Sequence, residues 1–307
     1  MREALSSLLV ERAQADPAFL VLSGDHGYAL FDALRQASPS QFVNVGVCEQ
    51  GMVGYAAGMA ALGLKPVIYG LAAFVPMRVL EQIKLDLCYP SRPVIMLGDG
   101  AGVVYSALGS SHQCGEDLAC LKPLPNLRIF SPCDEHELRA CLDEAQRAAG
   151  PSYIRLGKSD RPAAHTARPA AGTAPHWVHD APGAKACLVA TGSMVSLCQG
   201  LGRELGAAVL SVPCLKPLDP GLAGLLKPFA TVIVVDEHSR EGGLASSVAD
   251  RLAEAGPNPF PRFVAITLAD QFADKVGSYQ YALSEHGLSD TQVRARVQAI
   301  LAAGAAG

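Results

Sequence analysis

The sequence lacks clusters of basic charge, paired cysteines and long uncharged apolar runs, and each absence removes a class of function. Only 18% of the 307 residues are charged and the net charge is -4. With no Lys/Arg cluster there is no electrostatic footprint for nucleic acid or an anionic membrane surface. The nine cysteines include no C-x-x-C pair and no zinc-type spacing, and an odd number in a chain this long argues against a disulfide framework. A reducing, cytoplasmic setting follows. The longest apolar stretch, Gly51 to Leu64, is too short for a bilayer span and is ended by Lys65-Pro66, so it is expected as a buried helix. The amino-terminal MREALSSLLVERAQAD has no small-residue cleavage site after an apolar core and is not read as a signal peptide.

What is present describes a compact α/β protein. Half of the residues are hydrophobic, enough for about two domains, each with a sizeable core. In the first half, helical spacing (REALSSLLVERAQ, the 49–63 run, MRVLEQIKLDLCY, GEDLACL, DEHELRACLDEAQRA) alternates with short apolar strands (FLVLSGD, QFVNVGV, KPVIYGL, RPVIMLGDG, LRIFSP). Such alternation implies βαβ units and a mostly parallel sheet flanked by helices, with ligand-binding loops at the carboxyl ends of the strands. From Lys158 the periodicity stops in a Pro/Ala/His-rich linker. Strands ACLVATGS, AAVLSV, TVIVVDEHS and FVAITLAD then alternate with amphipathic helices in a second α/β unit. The expected division is 1–160, a linker over 161–182, and 183–307; the terminal LAAGAAG is expected to fray.

Glu49 raises the chemical question. It stands at the start of a Gly/Ala/Met-rich helix, where the plain explanation is a carboxylate interacting with the helix dipole, worth roughly 0.3–1 kcal/mol. Gly54 and Gly58, among Met52, Val53, Ala56 and Ala57, imply close packing on more than one side and an amino end inside an interface. An acid there must be paired, or held protonated until a ligand supplies a hydrogen-bonding partner.

The run FVNVGVCEQGMVGYAAGMAALGLKPVIYGLAAFVPMRVLEQIKLDLCYPSRPVIM, followed by GSSHQCGEDLACLKPLPNLRIFSPCD and PSYIRLGKSD, resembles the pyrimidine-binding domain of transketolases. VATGS, CLKPLD, VVDEHSREGGLASSVADRL and GLSDTQVRARV resemble the transketolase C-terminal domain. The resemblance covers nearly the whole chain in the family's order. It implies the C-terminal component of a split enzyme that uses thiamine diphosphate, with an N-terminal component carrying the diphosphate and Mg²⁺ domain, and self-association within a heterotetramer. It further implies that Glu49 hydrogen-bonds a ring nitrogen of the cofactor's aminopyrimidine and favours the imino form, which takes the proton from the thiazolium carbon.

By the same resemblance Phe74 stacks on the pyrimidine, Leu71 and Met77 pad its pocket, and His112 lies over the thiazolium carbon as donor or proton shuttle. Asp25 and His26, in SGDHGY after the first strand, are expected to face substrate. Lys158, where many members have Arg, keeps the charge for a substrate phosphate without the bidentate fork. Taken without the resemblance, Phe74 reads as core and His112 as a loop residue. Gly100 and Leu108 replace a His and an Asp common in the family, and losing both polar groups points to a substrate pair other than the usual pentose phosphates. The Gly-Asp-Gly at 98–100 with Asn126 mimics a metal motif, but its surroundings match the pyrimidine domain, so no metal ligand is assigned to this chain. Asp236, Glu237 and His238 are read as structural. Two further readings stay open: a 2-oxoacid dehydrogenase beta subunit or related synthase, and a module without catalysis.

Overall fold

The computed structural model describes residues 1–158, 160–256 and 260–305. The first unit begins with helices α1 (Arg2–Ala15), α2 (Asp32–Ala37) and α3 (Glu49–Ala61), interleaved with strands β1 (Phe19–Ser23), β2 (Phe42–Asn44), β3 (Lys65–Leu71) and β4 (Ile95–Asp99). It continues with helices α4 (Leu80–Gln82), α5 (Asp117–Leu121) and α6 (Glu135–Arg147), and strands β5 (Arg128–Phe130) and β6 (Ser152–Leu156). Beyond it lie β7 (His176–His179), β8 (Ala186–Ala190), β9 (Ala208–Ser211), β10 (Cys214–Lys216), β11 (Thr231–Ser239) and β12 (Arg262–Leu268). These alternate with α7 (Val195–Leu205), α8 (Leu222–Leu226), α9 (Leu244–Glu254), α10 (Tyr279–Glu285) and α11 (Asp290–Ala305).

The strands form two sheets, ordered β10-β5-β6-β4-β3-β1-β2 and β12-β11-β8-β9-β7. Each is parallel except for one edge strand, β10 against β5 and β7 against β9. This is the expected α/β architecture of mostly parallel sheets flanked by helices. Its cause is visible in the sequence: β1, β6 and β8 are buried along their whole length, as strands covered on both faces must be.

Several local expectations need correction. MRVLEQIKLDLCY is not one regular helix but a 3₁₀ turn (Met77–Val79), α4 and a π-helical stretch (Ile83–Cys88) in succession. The linker contains β7, and CLK at 214–216 leaves the second unit to close the edge of the first sheet. In LAAGAAG, α11 continues to Ala305, and the last two residues lie outside the described set. α3 buries Met52, Val53, Ala56 and Ala60 on one side only; Gly54 and Gly58 meet nothing within 4 Å and Tyr55 is 56% exposed. The packing on more than one side inferred from these glycines is absent within a single chain.

The two units share a core. Apolar side chains of α3 and β3 are continuous, through Leu118 and Leu121, with Val189, Leu210, Val232 and Leu244 of the second unit. At the seam, polar groups are buried as well. Asp117, at the start of α5, accepts from Tyr153 Oη (2.8 Å) and Arg155 Nε (3.0 Å), and Arg155 Nη2 donates to the Glu237 carbonyl (2.9 Å). The His238 Nε2 accepts from the Leu118 N–H (3.1 Å) and its Nδ1 lies 2.9 Å from the Ser239 carbonyl, which fixes a neutral ring with Nδ1 protonated. Burial depresses this imidazole's pKa, in keeping with that tautomer, so its 3.5 Å approach to Asp117 Oδ1 is not an ion pair. Glu237 accepts from the Val103 N–H, Ser193 Oγ and Tyr279 Oη, and Asp236 Oδ2 from the Leu244 N–H. Glu237 and His238 thus bond across the two units, through Val103 and Leu118, while Asp236 caps α9 within the second.

Candidate active site

Glu49 opens α3 at the carboxyl end of the parallel strands. Gly46, at φ +71, lets the chain turn sharply after β2 into that helix, a conformation that favours glycine. The Glu49 side chain is only 3% exposed. Arg78 Nη1 donates to its Oε2 at 3.3 Å, and His26 Nε2 stands 3.8 Å from Oε1, beyond hydrogen-bond reach. Glu49 Oε1 and His26 Nε2 are therefore both buried without a hydrogen-bond partner. Such atoms are uncommon in folded proteins and costly, and two facing each other across a gap suit an incoming ligand.

Phe74 ties this pair to the next candidate. It sits on the turn after β3, where Phe74 N–H and Val75 N–H both donate to the Leu71 carbonyl. Its ring centre lies 5.6 Å from that of His26 and 5.2 Å from that of His112, the latter edge-on. The Arg78 guanidinium covers the ring at 4.0 Å. His112 ends a 3₁₀ turn, Ser110–His112, with Nδ1 2.9 Å from Ser111 Oγ. The fold thus gathers Glu49, His26, Phe74 and His112 from four separate segments.

The remaining candidates lie around this cluster. Leu71 is buried at the end of β3, and Met77 packs against Ala72, Ala101 and Cys114. Asp25, at φ +64, accepts from Asn44 Nδ2 (3.0 Å) and faces a groove it shares with His26 and Arg35. Lys158 lines a separate cavity of about 310 Å³ with Arg2, Tyr69, Asp99 and Tyr105, its Nζ 4.0 Å from Asp160. Gly100 borders the same cavity at φ +74, and a Cβ there would collide with the Tyr105 ring. Tyr105 thus occupies the space beside Gly100 and donates from Oη to Asp99 Oδ2 at 2.6 Å. Leu108 is 56% exposed in the loop that follows. Asp99 and Asn126 sit at opposite ends of the sheet, one closing β4 and the other preceding the parallel β5, so they cannot share an ion.

Arg78 is the residue that sequence reading missed. Its signal is weak: a cation four residues beyond Phe74, in a segment read only as a helix.

With this geometry in hand, the relationships of the chain are informative. Residues 1–162 match the transketolase pyrimidine binding domain and residues 176–287 the transketolase C-terminal domain. The chain belongs to the transketolase family, whose pyrimidine domain binds thiamine diphosphate. Within it, the chain has the extent of a split-enzyme subunit. It is 31% identical to an apulose-4-phosphate transketolase subunit of Phocaeicola vulgatus, covering 94% of this chain and 95% of that one. It is 30% identical to the 6-deoxy-6-sulfo-D-fructose transketolase subunit SqwH of a Clostridium species, covering 95% and 92%. A solved split-gene transketolase, described as an inactive beta4 tetramer, superposes with a TM-score of 0.86 at 32% identity, over 97% and 96% of the two chains. The 1-deoxy-D-xylulose-5-phosphate synthase of an Azoarcus species is 30% identical over 97% of this chain, which spans only 48% of that protein.

Proposed function

We propose that this chain supplies the pyrimidine half of the active site in a two-component transketolase. The enzyme transfers a two-carbon ketol unit from a ketose donor to an aldehyde. The single observation that carries the reading is the unpartnered, buried Oε1 of Glu49, facing a histidine, His26, whose ring lies 5.6 Å from that of Phe74. A carboxylate oxygen in that position is complementary to one N–H of a heteroaromatic base, and the residues present fit an aminopyrimidine. Bound there, thiamine diphosphate supplies a nucleophilic carbon that the side chains of a protein lack.

The chain's own residues divide the remaining tasks. Glu49 accepts a hydrogen bond at Oε1 while Arg78 holds Oε2, so the carboxylate is oriented before ligand arrives. Phe74 offers its free face for stacking, with Leu71 and Met77 filling space behind it. His112 donates to, or takes a proton from, the donor's hydroxyl oxygen, and His26 and Asp25 receive the sugar hydroxyls. Lys158, with Arg2 in the same cavity, meets an anionic end of the substrate. The relatives named for apulose 4-phosphate and 6-deoxy-6-sulfo-D-fructose both act on sugars with such an end, and the loss of polar groups at Gly100 and Leu108 favours a similarly non-standard pair.

The diphosphate and Mg²⁺ are assigned to an N-terminal component. Self-association is assigned to the open face of α3, where Gly54, Tyr55 and Gly58 are uncovered beside a segment that exposes Leu85 and Tyr89. Two copies of each chain then make a heterotetramer. The units 1–160 and 183–307, joined by 161–182, are proposed as its building blocks. A cytoplasmic setting agrees with nine cysteines that all remain free, and among the described residues no helix is long and apolar enough to cross a membrane. The synthase relatives support a second reading, a 2-oxoacid donor in place of the ketose.

Co-purification from the source cell followed by calorimetry tests the reading. The chain alone should bind thiamine diphosphate poorly at any Mg²⁺ concentration, and the two-chain complex tightly, with turnover of ketose but not 2-oxoacid donors. Tight binding by the isolated chain would overturn it.

A further inference from the structure

Three side chains of metal-ligating type converge where the linker crosses the start of α6. Cys133 comes from the loop after β5, Glu137 from the first turn of α6 and His165 from the linker; one donor atom of each lies within 4.8 Å of the others. His165 is oriented by Asp134, whose Oδ2 accepts from the His165 backbone N–H (2.9 Å) and lies 3.0 Å from Nδ1. With Oδ2 against Nδ1, the Asp134 carboxylate receives that N–H and leaves the other ring nitrogen to look elsewhere.

That other nitrogen is where the observation lies. His165 Nε2 is buried, has no hydrogen-bond partner, and stands 3.5 Å from Glu137 Oε1. An imidazole nitrogen and a carboxylate oxygen this close and away from water need a cation between them, either a proton on Nε2 or a metal ion. Metal-binding histidines are held in this same way, with one ring nitrogen on a carboxylate and the other on the ion. In a tetrahedral site with bonds of about 2.0–2.3 Å, neighbouring donors are about 3.3–3.6 Å apart. The gap from Nε2 to Oε1 is one such edge; Cys133 Sγ lies 3.7 Å from the ring at Nδ1 and has to swing toward Nε2 to complete the site.

We propose that Cys133 Sγ, Glu137 Oε1 and His165 Nε2 bind one zinc-class divalent metal ion, with solvent or Ser211 Oγ as the fourth ligand. Ser211 Oγ is at hand, donating to Glu137 Oε1 at 2.6 Å. The mixed sulfur, nitrogen and oxygen set selects a borderline metal over Mg²⁺, which requires oxygen ligands. A thiolate and a carboxylate balance the dication. Loading sends the Cys133 proton to solvent, and a second from Nε2 where the ring is charged, so affinity rises with pH. The expectation that this chain holds no metal ligand is set aside for this cluster. Its position implies a structural ion that ties the linker to α6 and, through Ser211, to β9. The catalytic Mg²⁺ of the proposed partner is a different ion.

Titration of the reduced full-length chain with Co²⁺ tests this. One equivalent should produce a thiolate-to-cobalt charge-transfer band that one equivalent of Zn²⁺ abolishes, and Zn²⁺ should raise the melting temperature. Cys133→Ser should remove the band, and His165→Gln, in which the cysteine is intact, should weaken Co²⁺ binding by about 10-fold or more. No band in the wild-type chain, or an unchanged band and affinity in both variants, would show that only a proton bridges His165 and Glu137.

Discussion

The guanidinium of Arg78 lies 4.0 Å over the ring of Phe74. The same group donates to Glu49 Oε2 at 3.3 Å, so one half-exposed cation locks both the acid and the stacking platform. Arg78→Met should leave folding intact but weaken thiamine diphosphate binding by the two-chain complex by about 10-fold, since both the charge and the planar contact are lost. Arg78→Lys should fall between the two, because it keeps the charge without the stack. Calorimetry of the three complexes reads the ranking.

Arg155 and Asp117 form a buried pair within the first unit beside the seam, 2% and 0% exposed. Arg155→Met leaves Asp117 charged in a dry site and should cost about 3–5 kcal/mol in urea unfolding. Adding Asp117→Leu removes the stranded charge, and most of that stability should return. A double variant no more stable than the single one would show that the pair's worth lies elsewhere.

The chain should lose stability in alkali. Burial pushes the Cys88 thiol up to about 11 and those of Cys198 and Cys214 to about 12. An unfolded thiol ionises near 8.5, so above that pH the folded state retains protons that the unfolded state releases. Stability therefore falls as pH rises, by up to about 1.4 kcal/mol per pH unit for each such thiol, until the folded values are reached. Burial lowers Lys122 to about 8 and lowers Lys216 as well, which act in the opposite sense, but they are two groups against several. Unfolding midpoints measured from pH 7.5 to 10 should decline throughout; a flat profile would contradict the burial of these thiols.

Gly100 has no room for a side chain while Tyr105 stays where it is. Gly100→Ala should destabilise the chain by about 1–3 kcal/mol, from the left-handed backbone and the clash together. Tyr105→Ala in the same chain should recover the part due to the clash. Thermal melts of the two variants separate the contributions.

Much of this organisation was legible in the sequence because its causes are local. Continuous apolar strands such as VIML and VIVV announce a covered parallel sheet, whereas Glu49 alone is explained by the helix dipole and stands out only beside its Gly/Ala/Met-rich helix. The rest depended on non-local geometry. β10 is a three-residue strand whose partner lies some eighty positions earlier, and no periodicity in CLK signals that pairing. The Glu49–Arg78 contact links two loops through the fold. The linker's proline and alanine content hid His165, whose surroundings are supplied by α6. The glycines of α3 were read as packed, when within one chain they face outward.

Glu49→Gln in the reconstituted two-chain enzyme is the most direct test of the central claim. The variant keeps the shape and the first-turn position of the side chain but loses the carboxylate. Turnover at saturating thiamine diphosphate should drop by about 10²-fold or more, with assembly and melting temperature unchanged. A variant complex that turns over at close to the wild-type rate would contradict the assignment of Glu49 to the cofactor.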